Sequence, residues 1–289
     1  MSLSGRTIFI TGGSRGIGLA MAVRCARDGA NVTIAAKTAE PHPKLPGTIY
    51  TAAEEIEAAG GKALPVVCDI RDEDRLRTAV DRTVDEFGGI DVLINNASAI
   101  NLMPTDTVDM KRYDLMADIN TRGTFLATKT CLPHLKRGTN PHVLTIAPPL
   151  DMDAKWFAPH VAYTIAKMGM SLCTLGHARE FAGFGIAVNS LWPLTAIDTA
   201  AVRNVLGGDA MAKRSRAPGI MADAAHAVLC RPAKEATGNF YIDEEVLRAE
   251  GVTDFARYAP HADGPLVRDF FVPDAVAARS GTPTDSVYG

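Results

Sequence analysis

The sequence predicts a doubly wound α/β fold, in which one parallel sheet of seven strands carries helices on both faces. Seven short apolar runs, rich in β-branched residues, alternate with six longer amphipathic stretches. Alternation of this kind is typical of parallel strands joined by crossover helices. The 289 residues, 47% of them hydrophobic and 22% charged, are enough for one large domain with a single core.

The predicted elements follow one another along the chain without repeats or low-complexity segments. The predicted strands are Thr7–Ile10, Val32–Ala36, Leu64–Cys68, Ile90–Ile94, Val143–Ile146, Ile186–Leu191 and Phe240–Ile242. The predicted helices are Ile17–Arg27, Thr51–Ala59, Glu73–Phe87, Val108–Leu135, His160–Phe181 and Met221–Cys230. Beyond the last strand, residues 251–289 are predicted to form a polar tail with a weaker pattern.

Charge, hydropathy and cysteine usage exclude several classes of function. The net charge of -3 and the absence of a long basic run argue against nucleic-acid and membrane-surface partners. No stretch of about 18 apolar residues predicts a membrane span, and a strand close to the first residue leaves no room for a leader, so we expect a cytoplasmic protein. The cysteines form no C-x-x-C pair, which favours free thiols over a metal or redox site. They are Cys25, Cys68, Cys131, Cys173 and Cys230.

A glycine-rich turn, TGGSRGIG at residues 11–18, follows the first strand and opens the first helix. Backbone N–H groups and the positive end of a helix dipole bind a pyrophosphate in this context, and side chains would block its approach. A tight turn without a ligand is the alternative for this motif taken alone. The predicted cofactor-binding residues here are Gly12, Ser14, Arg15, Gly16, Ile17 and Gly18.

The end of the second strand indicates which dinucleotide binds. Folds that bind NAD place an acidic residue there for the ribose hydroxyls, whereas this strand ends in Ala36 and Lys37. Arg15 and Lys37 together could hold a 2′-phosphate by charge-assisted hydrogen bonds. This favours NADP(H) over NAD(H), and the alternative for Lys37 is a solvated charge at a strand end.

The motif YTIAK, residues 163–167, carries the catalytic prediction. Positions i and i+4 share one face of a helix, so the Tyr163 phenol and the Lys167 ammonium project side by side. A neighbouring cation stabilises a tyrosinate, and a phenol so tuned can exchange a proton with a substrate oxygen while a hydride moves to or from a nicotinamide.

These motifs occur in the order TGGSRGIG, NNAS and YTIAK, and with them the chain resembles the short-chain dehydrogenase/reductase family. The phrases AAKTAEPHPKLPGTIYTAAEEIEAAGG, NNASAI, YTIAKMGMSL and LWPLTAIDTAA resemble its hydroxysteroid dehydrogenase-like protein two subfamily. The similarity covers residues 1 to about 275, without the sterol-carrier domain that some members append. It implies a single-domain Rossmann fold with the cofactor along the carboxyl edge of the sheet.

The resemblance also implies roles for individual residues. Asn120 would be catalytic together with Tyr163 and Lys167, and Asp69 would contact the adenine. The remaining implied cofactor contacts are Asn96, Ala97, Tyr163, Lys167, Pro193 and Thr199. We expect residues 1–250 to form the NADP(H)-binding domain, with a substrate lid at about 194–218, and residues 251–289 to extend the same domain. No metal ligands are expected.

One departure from the family pattern concerns catalysis. The alignment places Pro148 where the family has its catalytic serine, and Ala147 where the serine's neighbour lies. Ser98 or His160 could donate in its place. Two functions therefore remain open: an NADP(H)-dependent oxidoreductase that interconverts a carbonyl and a secondary alcohol, or a nucleotide-binding protein with impaired catalysis that acts as a cofactor sensor or assembly partner.

Substrate and assembly are less constrained by the sequence. The resemblance implies a hydrophobic small molecule of steroid-like or fatty-acyl type. The segment 194–218, which should cover the substrate, does not identify it, because it mixes apolar residues with Lys213, Arg214 and Arg216. These cations would either meet an acidic substrate or line a solvated lid face. The family forms dimers or tetramers through its two long helices, and the helices here carry surplus apolar residues. They are Leu126, Leu132, Leu172 and Leu175.

Overall fold

A parallel sheet of seven strands forms the centre of the protein in a computed structural model that describes residues 1–43, 45–262 and 264–286. Its strands are β1 (Thr7–Thr11), β2 (Asn31–Ala36), β3 (Lys62–Val67), β4 (Val92–Asn95), β5 (His142–Thr145), β6 (Ala187–Trp192) and β7 (Phe240–Ile242). They lie in the order β3-β2-β1-β4-β5-β6-β7 and every pairing is parallel. The predicted doubly wound Rossmann sheet is thus confirmed.

Helices cover both faces of the sheet. They are α1 (Gly16–Ala26), α2 (Ile49–Ala58), α3 (Glu73–Phe87), α4 (Met110–Met116), α5 (Gly123–Leu135), α6 (Ala154–Phe157), α7 (Val161–Glu180), α8 (Gly208–Ala212), α9 (Gly219–Leu229), α10 (Asp243–Ala249) and α11 (Asp274–Ser280). Short 3-10 turns span Ala182–Phe184 and Ala256–Tyr258, and π-helical segments span Ala117–Arg122 and Val202–Leu206. Within the described residues, no helix is both long enough and apolar enough to cross a membrane.

Local chemistry explains why predicted helix and strand boundaries lie close to the observed ones. Helix α3 has its predicted limits because the Asp72 side chain caps its first N–H groups and Gly88, with φ of 83°, ends it. Strand β3 contains Pro65, which lacks an N–H donor, and this strand lies at the sheet edge, where such a donor is not needed.

The core lies on both sides of the sheet because its strands are buried on both faces. In β1, Ile8 and Ile10 pack with α1 and α2 in one cluster, and Phe9 packs with α3 and α5 in the other. Alternate residues of a strand point to opposite faces, so continuous apolar runs are needed to fill two layers.

The predicted helix Val108–Leu135 contains an irregularity that the sequence did not predict. It begins at Met110 as α4, passes through the π-helical segment Ala117–Arg122, and continues as α5. A π-turn contains one residue more than an α-helical turn, so the side chains that follow it point in a different direction around the helix axis. Such turns occur frequently at functional sites.

The C-terminal part, which was expected to extend the domain, is more regular than its weak sequence pattern indicated. It forms β8 (Leu266–Val267), α11 and β9 (Thr284–Asp285), and Phe271 and Val272 are fully buried. The Val267 carbonyl accepts a hydrogen bond of 2.8 Å from the Ala196 N–H, which ties β8 to the segment after β6. Asp263 and residues 287–289 of the tail lie outside the described residues.

Arg216 corrects a second expectation. Neither proposed role for this cation holds, because its side chain is 2% exposed and forms an ion pair of 2.6 Å with Glu244, which is fully buried. Thr282 of the C-terminal segment also donates to the Glu244 carboxylate at 2.8 Å. A buried charge pair therefore anchors the C-terminal segment to α10 and to the segment that carries Arg216.

Removing one charge of this pair should destabilise the fold. We expect Glu244→Gln to lower the free energy of unfolding by about 3 kcal/mol, because Arg216 would remain buried without its counter-ion. The neighbouring change Glu245→Gln breaks an exposed pair with Arg279 and should lower it by less than about 1 kcal/mol. Urea unfolding of both variants measures the difference, and equal losses would contradict the assigned role of the buried pair.

Candidate active site

The ends of β1 and β4 are held together by a set of hydrogen bonds around Thr11 and Asn96. The Thr11 hydroxyl accepts from the N–H groups of Asn96 and Ala97, each at 3.1 Å. The Asn96 amide donates in return to the carbonyls of Thr11 at 3.1 Å and Gly12 at 2.9 Å. Thus Asn96, predicted as a cofactor contact, braces the backbone of the glycine turn.

The glycine turn is packed too closely for side chains. Gly12 has φ of 70°, and a Cβ atom there would lie 2.9 Å from the Ala97 Cα. A Cβ atom on Gly18 would lie 2.5 Å from the Asn96 amide nitrogen and 2.7 Å from the Gly12 carbonyl oxygen. No side chain caps the first turn of α1, so its N–H groups remain available to an anion.

A cleft of about 980 Å³ runs along this edge of the sheet. Most of the predicted cofactor residues line it, together with Ser98. They are Gly12, Ser14, Arg15, Gly16, Ile17, Gly18, Lys37, Asp69, Asn96, Ala97 and Thr199. Tyr163, Lys167 and Pro193 are absent from this lining.

Three cations lie near Asp69 and the glycine turn: Lys37 and Arg15 line the cleft, and Arg71 pairs with Asp69. Asp69 pairs with Arg71 at 2.6 Å and with Lys37 at 3.8 Å, and the hydrogen bonds from Arg71 are the main reason that the pKa of Asp69 falls to about 2. The Arg15 guanidinium donates to the carbonyls of Pro46 and Gly47, which positions it beside the glycine turn.

Tyr163 and Lys167 are both buried on the same side of α7. The Lys167 ammonium donates to the Ile146 carbonyl at 2.8 Å and to the Met170 sulfur at 3.3 Å, and it lies 4.9 Å from the centre of the Trp192 ring. Burial lowers the pKa of Lys167 to about 7. The Ile146 N–H donates to the Asn95 carbonyl, so Lys167 lies one strand away from the Asn96 brace.

Asn120 lies in the π-helical segment and is fully buried. Its amide oxygen accepts from the Ala99 N–H at 2.8 Å, and its amide nitrogen donates to the Ala99 carbonyl at 3.0 Å. Both ends of the side chain therefore hold the loop that follows β4.

The two residues that align with the family's catalytic serine and its neighbour at the end of β5, Pro148 and Ala147, carry no hydroxyl. Ala147 and Pro148 are buried, and the Pro148 carbonyl accepts a hydrogen bond of 2.7 Å from Ser171. Of the two suggested substitutes, Ser98 is exposed in the cleft, and the His160 ring contacts the Thr164 hydroxyl at 3.0 Å.

An aromatic cluster beside Tyr163 includes a residue that sequence reasoning missed. The Phe271 ring lies 6.2 Å from that of Tyr163 and 6.0 Å from those of Trp156 and Trp192, measured between centroids. Phe271 has φ of 65°, an unfavourable conformation for an aromatic residue. The apolar run Phe270–Val272 in the expected tail was the signal available for it.

Comparison with known proteins identifies this arrangement. The family model described as "short chain dehydrogenase" matches residues 6–207. The chain belongs to the short chain dehydrogenase family. The curated proteins named "Hydroxysteroid dehydrogenase-like protein 2" from Xenopus tropicalis and Homo sapiens are 58% identical over 279 residues and 55% identical over 280, respectively. Each alignment covers 96% of this chain and 66% of the relative.

The solved structures agree with this family membership. A short chain dehydrogenase from Mycobacterium thermoresistibile is 53% identical, with a TM-score of 0.91 over 98% of this chain and all of that one. The family implies a nicotinamide dinucleotide cofactor, and the close-packed glycines and uncapped α1 in a large cleft fit one. The chain spans slightly less than two thirds of the curated relatives that it matches.

Dinucleotide binding should depend on Gly18. We expect Gly18→Ala to weaken it at least tenfold, because the added methyl group would collide with the Asn96 amide and the Gly12 carbonyl. Gly89→Ala is a matched control, since nothing lies within 4 Å of its added Cβ atom. Calorimetric titration with the reduced cofactor measures both, and equal affinities would contradict the glycine packing argument.

Proposed function

We propose that this protein is an NADP(H)-dependent oxidoreductase that interconverts a carbonyl and a secondary alcohol, with Tyr163 as the acid or base. The observation that carries the proposal is the buried pair of Tyr163 and Lys167 on one face of α7, one strand away from the dinucleotide cleft. A soluble helix rarely buries a lysine without a specific role, because burial disfavours its charged form.

The chemistry follows from these side chains. When bound, the nicotinamide supplies a hydride to the substrate carbon or accepts one from it. In the reductive direction, Tyr163 donates its proton to the carbonyl oxygen, and the Lys167 ammonium stabilises the phenolate that remains. Asn120 fixes the loop at Ala99 and, by family analogy, supports the water through which the proton returns.

The aromatic cluster supports a hydrophobic substrate. Trp156, Trp192 and Phe271 pack as a buried apolar cluster beside Tyr163. A carbonyl that reached Tyr163 would be oriented by these apolar side chains in place of the hydroxyl missing at Ala147 and Pro148. The names of the relatives add a steroid-like compound to this class, with a fatty-acyl compound as the other choice. Such a site should act slowly, because losing one oxyanion donor removes roughly 3–4 kcal/mol of transition-state stabilisation.

NADP(H) is the proposed cofactor because the cleft end is cationic. Arg71 pairs with Asp69 at 2.6 Å, so the Lys37 ammonium, which is 55% exposed and pairs with Asp69 only at 3.8 Å, can turn toward a phosphate without leaving Asp69 uncompensated. Arg15 lines the same cleft. A 2′-phosphate would meet both cations, whereas the ribose of NAD would find no carboxylate at the end of β2.

Lys37→Asp should reverse this preference. The unmodified protein should bind NADPH more tightly than NADH, and the variant should bind NADH more tightly, because the carboxylate repels the phosphate and accepts from the ribose. Lys62→Asp is the matched control, because Lys62 begins β3 at the end of the strand away from the cleft and the change in net charge is the same. It should leave the preference for NADPH over NADH unchanged. Calorimetry that showed equal or tighter NADH binding to the unmodified protein would refute the NADP(H) assignment.

Tyr163→Phe should abolish turnover while cofactor binding persists. Single-turnover oxidation of NADPH with a panel of hydrophobic carbonyls measures this, and Tyr50→Phe, an exposed tyrosine on α2, is the matched control. Pro148→Ser and Ala147→Ser each test whether a restored hydroxyl raises the rate. Undiminished activity of Tyr163→Phe would show that Tyr163 is not the acid.

The second function, a cofactor sensor or assembly partner, is favoured by Ala147 and Pro148 alone. It predicts that the unmodified protein binds NADPH but does not oxidise it with any carbonyl of the panel. The Pro148→Ser and Ala147→Ser variants would not oxidise it either. The same experiment therefore separates the two functions.

Assembly as a homodimer or homotetramer is also proposed. Leu172 and Leu175 of α7 are 57% and 52% exposed, and Phe125 of α5 is similarly open, which leaves an apolar face that a second copy could cover. Leu126 does not belong to this face, since it is buried in the protein's own core, and Leu132 packs partly against that core. A cytoplasmic location stays a prediction.

A further inference from the structure

A histidine, a cysteine and an aspartate meet where helices α1 and α9 end. His226 lies in the last turn of α9 and Cys230 ends that helix, so their spacing of four places both on one helix face. Asp28 comes shortly after α1, and its Oδ2 lies 2.9 Å from the His226 Nε2. The Cys230 Sγ lies 3.6 Å from the same nitrogen, and the three potential ligand atoms are all within 4.8 Å of one another.

This cluster lies at the opposite edge of the sheet from the dinucleotide cleft. Helices α1 and α9 both begin at the cleft, where Gly16 and Gly219 line it, and both end at the cluster. Each helix has 11 residues, so its length of roughly 16 Å separates the two regions. The proposed catalytic side chains are therefore not part of the cluster, and a ligand bound here would join the ends of the two helices.

The arrangement differs from that of a nucleophilic cysteine. A Cys-His-acid triad needs the thiol and the carboxylate on opposite ring nitrogens, so that one takes the proton while the other is held by the acid. Here the contact of Asp28 and the closer approach of Cys230 are both to Nε2, and the sulfur is 4.0 Å from Nδ1. Burial also raises the pKa of Cys230, which opposes a free thiolate. A metal ion would bring all three groups together at that one nitrogen.

The three groups are ligands that Zn²⁺ prefers. Imidazole nitrogen, thiolate sulfur and carboxylate oxygen bind it at about 2.0–2.3 Å, which puts neighbouring ligands of a tetrahedral ion roughly 3.3–3.6 Å apart. The distance of 3.6 Å from sulfur to Nε2 is in this range, and that of 2.9 Å from Oδ2 to Nε2 is shorter because a hydrogen bond joins the two atoms. Coordination would replace that hydrogen bond and turn the Cys230 side chain toward the Nε2 lone pair.

Hydrogen bonds and ion pairs fix the Asp28 carboxylate in its ionised form. Burial raises its pKa, but hydrogen bonds from the imidazole and from the Leu3 N–H, at 3.0 Å from Oδ2, outweigh this and lower the pKa to about 2. The Arg24 guanidinium contacts the other oxygen, Oδ1, at 3.4 Å and pairs with Asp223 at 3.1 Å. Outer hydrogen bonds of this kind orient the ligands of metal sites. A carboxylate and a thiolate together balance the charge of a divalent ion.

We propose that Asp28, His226 and Cys230 bind a Zn²⁺ ion that ties the end of α1 to the end of α9. Three protein ligands leave the fourth tetrahedral position to a water molecule. The sequence predicts no metal ligands because Asp28 is 198 residues away from His226 and no C-x-x-C pair is present. The site is independent of the proposed oxidoreductase function.

Metal titration of the full chain tests the proposal and needs neither cofactor nor substrate. Co²⁺ is the probe, because a thiolate bound to Co²⁺ gives a charge-transfer band in the near ultraviolet. After treatment with a chelator, the protein should bind one Co²⁺ per chain with this band, and Zn²⁺ should displace it. Zn²⁺ at ten times its dissociation constant should also raise the midpoint temperature of unfolding by at least about 2 °C, because it binds the folded chain. Absence of the band at saturating Co²⁺ would overturn the proposal.

Variants identify the ligands. Cys230→Ser should remove the charge-transfer band, and Cys230→Ser, His226→Gln and Asp28→Asn should each weaken Zn²⁺ binding at least about tenfold, since loss of an outer-shell partner alone costs about 10–100-fold. Cys173→Ser is the matched control and should keep both the band and the affinity. Cys173 is also partly exposed and precedes His177 by four residues, but no third ligand joins that pair among the described residues.

Cys230→Ser is the decisive variant, because it changes one atom and breaks no ion pair of Asp28. It keeps the test valid if Asp28→Asn or His226→Gln fails to fold. A band that persists in Cys230→Ser, or a Zn²⁺ affinity that this variant retains in full, would show that the ion binds elsewhere on the surface and would overturn the proposal.

Discussion

The hydrogen bonds between Thr11 and Asn96 are the constraint on which the site depends. Parallel strands β1 and β4 are neighbours in the sheet but far apart in sequence, and their connections leave in opposite directions, which opens a crevice between them. Crossed bonds from one hydroxyl and one amide fix the glycine turn against the end of β4. Strand β5 pairs with β4, and the Ile146 N–H after β5 donates to the Asn95 carbonyl, next to the brace. The position of Ile146, and of the Lys167 ammonium that donates to its carbonyl, is therefore set relative to the same brace.

Burial gives Lys167 its chemical character. In water an ammonium keeps its proton far above neutral pH, but here desolvation brings the pKa to about 7, so small electrostatic changes decide the charge. A carbonyl, a sulfur atom and an aromatic face hold the ammonium in place without neutralising it.

The C-terminal segment contacts both the region around Tyr163 and the buried ion pair of Arg216 and Glu244. Its β8 strand pairs with the segment after β6, its Thr282 binds the buried Glu244, and its Phe271 packs on Tyr163. The wall that faces Tyr163 is thus built from residues more than 100 positions away in sequence.

The sequence by itself determined the sheet, most helix limits and the order of the motifs, because strand alternation, helix caps and glycine turns act over a few neighbouring residues. It also placed Tyr163 and Lys167 on one face of a helix, which i and i+4 spacing requires. Only the tertiary structure decided that Arg216 is a buried ion-pair partner, that Leu126 is core and that Phe271 packs beside Tyr163. Their partners lie on distant elements, and the free energy of burying a charge or a ring depends on what surrounds it after folding.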